Sequence, residues 1–170
     1  MTIQTERLLL RELDEGDAEF LFRIESSPDM VRYQLFQPRT FENAANYVRE
    51  AIKAQRNDPR TYIELAVCLH SGQMIGRLGC LIQDIGARLW YVVETAEQGK
   101  GYATEAVRAF IRELWKDPSI RQLEIECDPR NTASWRLAER LGFELVREIE
   151  NSILSRGEMC SSREYVLMRA

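Results

Sequence analysis

Glu94-Thr95-Ala96-Glu97-Gln98-Gly99-Lys100-Gly101-Tyr102-Ala103-Thr104 stands between a strand-like run over 89–93 and a helical pattern that begins at Tyr102. Glycine permits torsions and close approaches that a side chain blocks. The first N–H groups of a helix point outward at its positive end. A strand, a glycine turn and a helix start, in that order, make a cradle in which main chain can hold an anion such as a pyrophosphate. Two familiar phosphate loops fit less well. A nucleoside-triphosphate loop needs Gly-x-x-x-x-Gly-Lys-Ser/Thr, but Lys100 is followed by Gly101 and the earlier glycine is absent. A dinucleotide fingerprint needs Gly-x-Gly-x-x-Gly directly after the strand, yet Thr104 holds the third glycine position and five residues separate Val93 from Gly99. Taken alone, the loop fits a simple turn as well as an anion cradle.

Upstream of the loop, 62–69, 74–82 and 89–93 are rich in β-branched and aromatic residues, and Ser71-Gly72 and Asp84-Ile85-Gly86 separate them. This predicts an antiparallel meander of three strands. Before it, 7–11 has strand length, and Asp14 is placed to cap a helix carrying Ala18, Leu21 and Phe22. Thr40 is placed to cap another, with Phe41, Ala44, Ala45, Val48 and Ile52 on one face, that stops before Asp58-Pro59. Downstream, Ala103, Ala106, Val107, Phe110 and Leu114 form the stripe of a helix ending before Pro118, and 123–127 alternates as a strand. A further helix over 131–141 closes at Gly142, and 143–149 and 164–169 are two more strands. The expectation is a single α+β domain over 1–170: a mixed, mostly antiparallel sheet of about seven strands with helices on both faces.

A chain of 170 residues with 45% hydrophobic and 29% charged residues is ordinary globular material. A net charge of −4 argues against nucleic acid or an anionic membrane as partner. The N-terminus lacks a leader pattern, and no apolar run approaches the roughly 18 residues of a membrane span, so a cytoplasmic location is expected. Cys68, Cys80, Cys127 and Cys160 form no Cys-x-x-Cys pair and read as buried thiols. The single histidine, His70, excludes clusters of histidine ligands and reads as a solvated turn residue, so no metal is expected.

Gln98-x-x-Gly101-x-Ala103 follows the pattern Arg/Gln-x-x-Gly-x-Gly/Ala, and on it the chain resembles the Gcn5-related N-acetyltransferase (GNAT) superfamily. Thr5-Glu6-Arg7-Leu8-Leu9-Leu10-Arg11, the run Gly99-Lys100-Gly101-Tyr102-Ala103-Thr104-Glu105-Ala106, and Asn131-x-x-Ser134 with Leu141-Gly142-Phe143 look like the ribosomal-protein N-terminal (Rim-type) branch. The resemblance covers nearly the whole chain. It implies the GNAT fold, acetyl-CoA as co-substrate, and acetyl transfer to a primary amine on a protein N-terminus or a small molecule by direct attack in a ternary complex. The alternative is a CoA-binding regulatory protein of little activity, because Ala138 stands where many relatives outside the branch carry a tyrosine acid.

By the same resemblance, Gln98, Gly99, Lys100, Gly101, Tyr102, Ala103 and Thr104 form the pyrophosphate loop, and Val92 and Val93 pair through main chain with the pantetheine arm. Asn131 matches a position that hydrogen-bonds that arm, and it equally suits a helix N-cap. Ser134 matches a hydroxyl near the CoA sulfur that can donate to the departing thiolate. An ammonium acceptor must first lose a proton, so a carboxylate base is expected: Glu94 foremost, with Glu126 and Glu150 as the other candidates. Tyr33, Phe36 and Trp90 are the candidate acceptor contacts, and as aromatics they equally suit a core. Gly157-Glu158-Met159-Cys160 occupies the place where many Rim-type relatives show Gly followed by Trp and Asp, so a ribosomal acceptor is not implied. A homodimer is left open.

Overall fold

The computed structural model describes residues 1–155 and 158–169, with 152–155 given by the course of the strand alone. The chain runs β1 (Thr2–Gln4), β2 (Leu8–Glu12), α1 (Asp17–Glu25), α2 (Phe41–Ala54), β3 (Tyr62–Leu69), β4 (Met74–Gln83), β5 (Gly86–Val93), α3 (Tyr102–Leu114), β6 (Gln122–Cys127), α4 (Thr132–Arg140), β7 (Glu144–Ser155) and β8 (Glu158–Met168). Among the described residues the strands form one eight-stranded sheet in the order β1-β2-β3-β4-β5-β6-β8-β7. Every neighbouring pair is antiparallel except β5 and β6, which run parallel.

Helices cover both faces, and the period-two geometry of β3 divides its side chains between them. Ile63, Leu65 and Val67 join the core formed with Ala106, Val107, Phe110 and Leu114 of α3 and Leu137 and Ala138 of α4. Ala66 and Cys68 join the opposite core, with Leu21 of α1 and Ala44, Val48 and Ala51 of α2. α2 is framed as its sequence suggests: Thr40 Oγ1 accepts the Asn43 N–H at 3.2 Å and the Asn43 side chain reaches back, a complete capping box.

The eight strands agree with the expected mixed sheet of about seven; the additional one is β1, whose three residues are too few to show alternation. Two expectations need correction. Strands β7 and β8 run well past 143–149 and 164–169 because they pair with each other as far as Ser155↔Glu158. In the added stretches Glu150, Asn151 and Glu158 are exposed, so the apolar pattern fades while the ladder continues. Asp14 does not cap α1. Gly16 occupies that position, and Asp14 Oδ1 accepts the Gly16 N–H at 2.9 Å in the preceding turn. Buried Asp17 receives both Arg11 nitrogens, each at 2.8 Å, and the Asp14 N–H at 2.9 Å.

One departure from regularity creates the site. β5 and β6 pair only from Gly86↔Gln122 to Leu89↔Ile125. Beyond that point, residues 90–93 and 126–127 diverge, and a wedge opens in the middle of the sheet. β5 leads into a 3-10 turn over Thr95–Glu97 and then α3, and β6 leads into α4, so both helices start at the wedge.

Candidate active site

The wedge holds a cleft of about 1010 Å³. Its lining includes Val92 and Val93 of β5, Gln98, Gly99, Gly101, Tyr102, Ala103 and Thr104 of the glycine loop, and Asn131 and Ser134 at the start of α4. Gly99 and Gly101 adopt φ of 76° and 84°, left-handed values that a side chain rarely tolerates. Gly101 is the N-cap of α3 and no side chain caps the helix, so its first-turn N–H groups stand at the cleft. The Gln98 side chain donates to the Val93 carbonyl at 2.9 Å and ties the loop to its strand. Lys100 does not line the cleft, and its ammonium pairs with Glu97 at 2.9 Å.

A clasp from the N-terminal segment holds this loop. Arg7 Nη1 donates to the Lys100 carbonyl at 3.0 Å, Arg7 Nε to Glu105 Oε2 at 2.7 Å, and the Thr5 hydroxyl to Glu105 Oε1 at 2.6 Å. The guanidinium also lies 4.7 Å from the centre of the Tyr102 ring. The Thr5–Arg11 motif therefore bears on the loop across the fold, a role that its position at the chain start conceals. His70 completes the corner, with Nε2 at 3.2 Å from the Thr5 carbonyl and 3.1 Å from that of Glu6.

At the cleft floor the Tyr91 hydroxyl lies 2.9 Å from Ser134 Oγ and 3.2 Å from the Ser134 carbonyl. Burial pushes the Tyr91 hydroxyl up to about 12, against the opposing pull of Ser134. Burial likewise pushes the Cys127 thiol up to about 11, again against a hydrogen bond with Ser134. Tyr91, Ser134 and Cys127 are thus three protonated groups around one point of the lining. Sequence reasoning missed Tyr91. The available signal was its place beside Trp90, which sends the two side chains to opposite faces of β5. Asn131 acts as N-cap of α4, its side chain accepting the Ser134 N–H at 3.3 Å.

Toward the α1 and α2 side the lining includes Asp29, Met30, Tyr33, Gln34, Trp90 and Glu126. Phe36 is not among the lining residues and packs under Arg39, 4.3 Å from ring centre to guanidinium. Glu94 also stays out of the lining, because Arg23 holds its carboxylate in an ion pair. Glu150 lines a separate cavity of about 300 Å³ beside Asp128 and Arg130. Gly157 lies outside the described residues. Among the described residues no three His, Cys, Asp or Glu side chains are grouped to hold a metal, and no helix is long and apolar enough to cross a membrane.

An open sheet split between two parallel central strands, with an uncapped helix start at the split, defines a class of acyl-CoA-dependent transferases. The family description "Acetyltransferase (GNAT) domain" matches residues 7–144, and the chain belongs to that family. It is an N-acetyltransferase. It is similar to the uncharacterized N-acetyltransferase p20 of Bacillus licheniformis, 27% identical over 157 residues that cover 89% of this chain and 88% of that protein. Its fold is similar to that of a Salmonella typhimurium acetyl transferase that modifies the N-terminal serine of the 50S ribosomal subunit protein L7/L12, with a TM-score of 0.89, 19% identity and 100% of both chains covered. It is also similar to that of the Vibrio cholerae spermidine N-acetyltransferase in complex with CoA and spermine, with a TM-score of 0.84, 16% identity and 96% of each chain covered.

Proposed function

We propose that the wedge binds acetyl-CoA from the α3 and α4 side and a primary amine from the α1 and α2 side, and that the acetyl group passes directly between them. The observation that carries this reading is the left-handed pair Gly99 and Gly101 leading into the uncapped start of α3. Main-chain N–H groups there suit a pyrophosphate. The pantetheine arm then lies along 92–93, where β5 has lost its β6 neighbour.

The amine nitrogen attacks the thioester carbonyl carbon, the tetrahedral intermediate collapses, and the C–S bond breaks to release a thiolate. Ser134 and Tyr91 are the donors placed to meet that charge. A hydroxyl raised to about 12 does not pass its proton to a thiolate whose acid titrates near 8.5. The pair therefore stabilises the leaving group by hydrogen bonding, and the thiolate takes its proton from solvent or from the acetylated nitrogen. Tyr91 supplies a tyrosine hydroxyl from β5, although Ala138 is buried in the α4 core. We place the base at Glu126, which lines the cleft, rather than at Glu94, which Arg23 engages. Tyr33 and Trp90 form the acceptor wall. Where the acceptor is an α-amino group, which titrates near 8, a weak base suffices.

The test is thiol release from acetyl-CoA with a panel of a serine-initiated peptide, spermidine, kanamycin and free amino acids, alongside calorimetry of CoA binding. Gly101→Glu places a carboxylate and its bulk against the pyrophosphate and is expected to abolish binding. Unchanged binding in that variant would sink the loop assignment. Tight CoA binding with no thiol release across the panel would favour a regulatory CoA-binding protein instead.

A further inference from the structure

Glu64 of β3 is fully buried on the α1 and α2 face, and the transfer chemistry makes no use of it. Its Oε1 accepts from Arg77 Nη1 at 3.0 Å, and its Oε2 accepts the Trp90 indole N–H at 2.6 Å. The Tyr62 hydroxyl lies 3.3 Å from the same Oε2. Arg77 also serves Glu25 at 2.7 Å, which takes a second cation, Arg39, at 2.5 Å. Glu64 therefore has only a share of one guanidinium; burial works to raise its carboxyl, and Arg77, the Tyr47 hydroxyl and the Trp90 indole are the groups that oppose this and favour the anion. A buried carboxylate needs its lone pairs satisfied, and buried ion pairs add little net stability over apolar packing. The network is better understood by what it holds in place.

What it holds is Trp90. Glu64, Gly79 and Trp90 are direct cross-strand neighbours on β3, β4 and β5. A Cβ on Gly79 would lie 2.6 Å from Glu64 Oε2 and 2.9 Å from Trp90 Nε1, so β4 lacks a side chain at the point where the bond crosses it. Tyr62 packs on the indole with ring centres 5.5 Å apart. The ring pinned in this way is half-buried and lines the cleft on its acceptor side.

We infer that Glu64 is a positioning residue for the acceptor: it fixes the Trp90 ring as a preformed wall and, as an anion on the indole N–H edge, strengthens the attraction of the ring face for a cationic amine. This inference rests on the acetyl-transfer reading above. Negative charge at the ring edge reinforces the negative face that draws an ammonium group, and a wall already fixed loses less freedom on binding.

Glu64→Gln tests it, because Arg77 and Trp90 bond different carboxylate oxygens, and the amide replaces one of those acceptors with an NH2 group that itself donates. With the panel amine that wild-type protein turns over fastest, the acceptor KM is expected to rise about fivefold, with the acetyl-CoA KM unchanged. Trp90→Phe, which keeps a ring but loses the N–H, is expected to do the same, and the double variant to add nothing further. In 15N–1H spectra, the Trp90 indole resonance, assigned by its loss in Trp90→Phe, should be shifted downfield and protected from exchange, and Glu64→Gln should remove both features. If Glu64→Gln fails to fold, Trp90→Phe alone carries the KM test. Turnover with an unchanged acceptor KM in the folded variants overturns the inference and leaves acetyl transfer standing. A wild-type protein that releases no thiol with any panel amine overturns both.

Discussion

Arg7 and Glu105, 98 positions apart, close on each other beside the glycine loop, with the Arg7 main-chain N–H donating to Oε1 at 2.9 Å and Nη2 paired with Oε2 at 2.6 Å. The remaining Arg7 nitrogen holds the Lys100 carbonyl, one residue before left-handed Gly101. The loop amides are thus aimed by a side chain that need not touch the ligand itself. Arg7→Ala is expected to weaken CoA binding about tenfold in calorimetry. An unchanged Kd would show that the glycines hold the loop by themselves.

The clasp also predicts a pH dependence. Burial works to raise the Glu105 carboxyl, but the Thr5 hydroxyl, the Arg7 N–H and the Arg7 guanidinium together hold it below its ordinary 4.5. A depressed carboxyl contributes stability that is fully present above its unfolded value and lost as pH falls through the folded one. The melting difference between wild type and Glu105→Gln should therefore be constant above about pH 5 and shrink progressively below about 4.5. Because Arg7 is half-exposed, added salt should reduce that difference as well. A gap that widened in acid would contradict this account.

Tyr91 and Ser134 make a prediction about kcat. Removing one donor that meets developing charge typically costs more than tenfold, and here Ser134 remains. Tyr91→Phe is accordingly expected to lower kcat about tenfold, with the acetyl-CoA KM changed by less than about twofold. With its hydroxyl raised to about 12, Tyr91 stays protonated through the working range. The wild-type to Tyr91→Phe ratio should then be flat between about pH 7 and 10. A ratio that collapses by pH 9 would mean that Tyr91 ionises within the range.

Much of this was legible in the chain. The strand-to-loop-to-helix passage at 94–104 is local, and the torsions of Gly99 and Gly101 follow from their lack of a side chain. The stripe from Ala106 to Leu114 is periodic, and Thr40 and Asn131 cap as their residue types favour. What the sequence conceals is set by distant partners. Glu94 is an unremarkable acid after a strand until the fold brings Arg23 to it. Phe36 and Trp90 are both aromatic, yet only Trp90 has a buried carboxylate to hold it at the cleft. Tyr91 acquires meaning only when α4 delivers Ser134 to its hydroxyl.

The core prediction is a contrast between two aromatics, both expected from the sequence to lie on apolar helix faces. Phe110 of α3 is 1% exposed, whereas Phe41 at the start of α2 is 51% exposed beside Phe22. In urea denaturation, Phe110→Ala is expected to lose about 3–5 kcal/mol and Phe41→Ala less than about 1 kcal/mol. Comparable losses would mean that Phe41 is covered in solution.

Glu126 is the cleft-lining carboxylate on the strand that diverges from β5, and Arg88 approaches it no nearer than 3.4 Å. That ion pair is long and largely exposed on the Arg88 side, which suits the proposed role of Glu126 in taking a proton from an incoming ammonium group. The need for that step depends on the acceptor: at pH 7.5 about a quarter of an α-amino group near 8 is already neutral, against about 0.1% of an alkylamine near 10.4. Glu126→Gln is expected to lower kcat/KM a few-fold for a peptide acceptor but on the order of a hundredfold for spermidine, and raising the pH from about 7 to 9 should recover activity in both cases. Glu94→Gln, which only releases Arg23, should stay within about twofold of wild type for either amine. If Glu94→Gln showed the amine-dependent loss and Glu126→Gln did not, the base would lie at the end of β5, and Arg23 would have to leave its carboxylate during turnover.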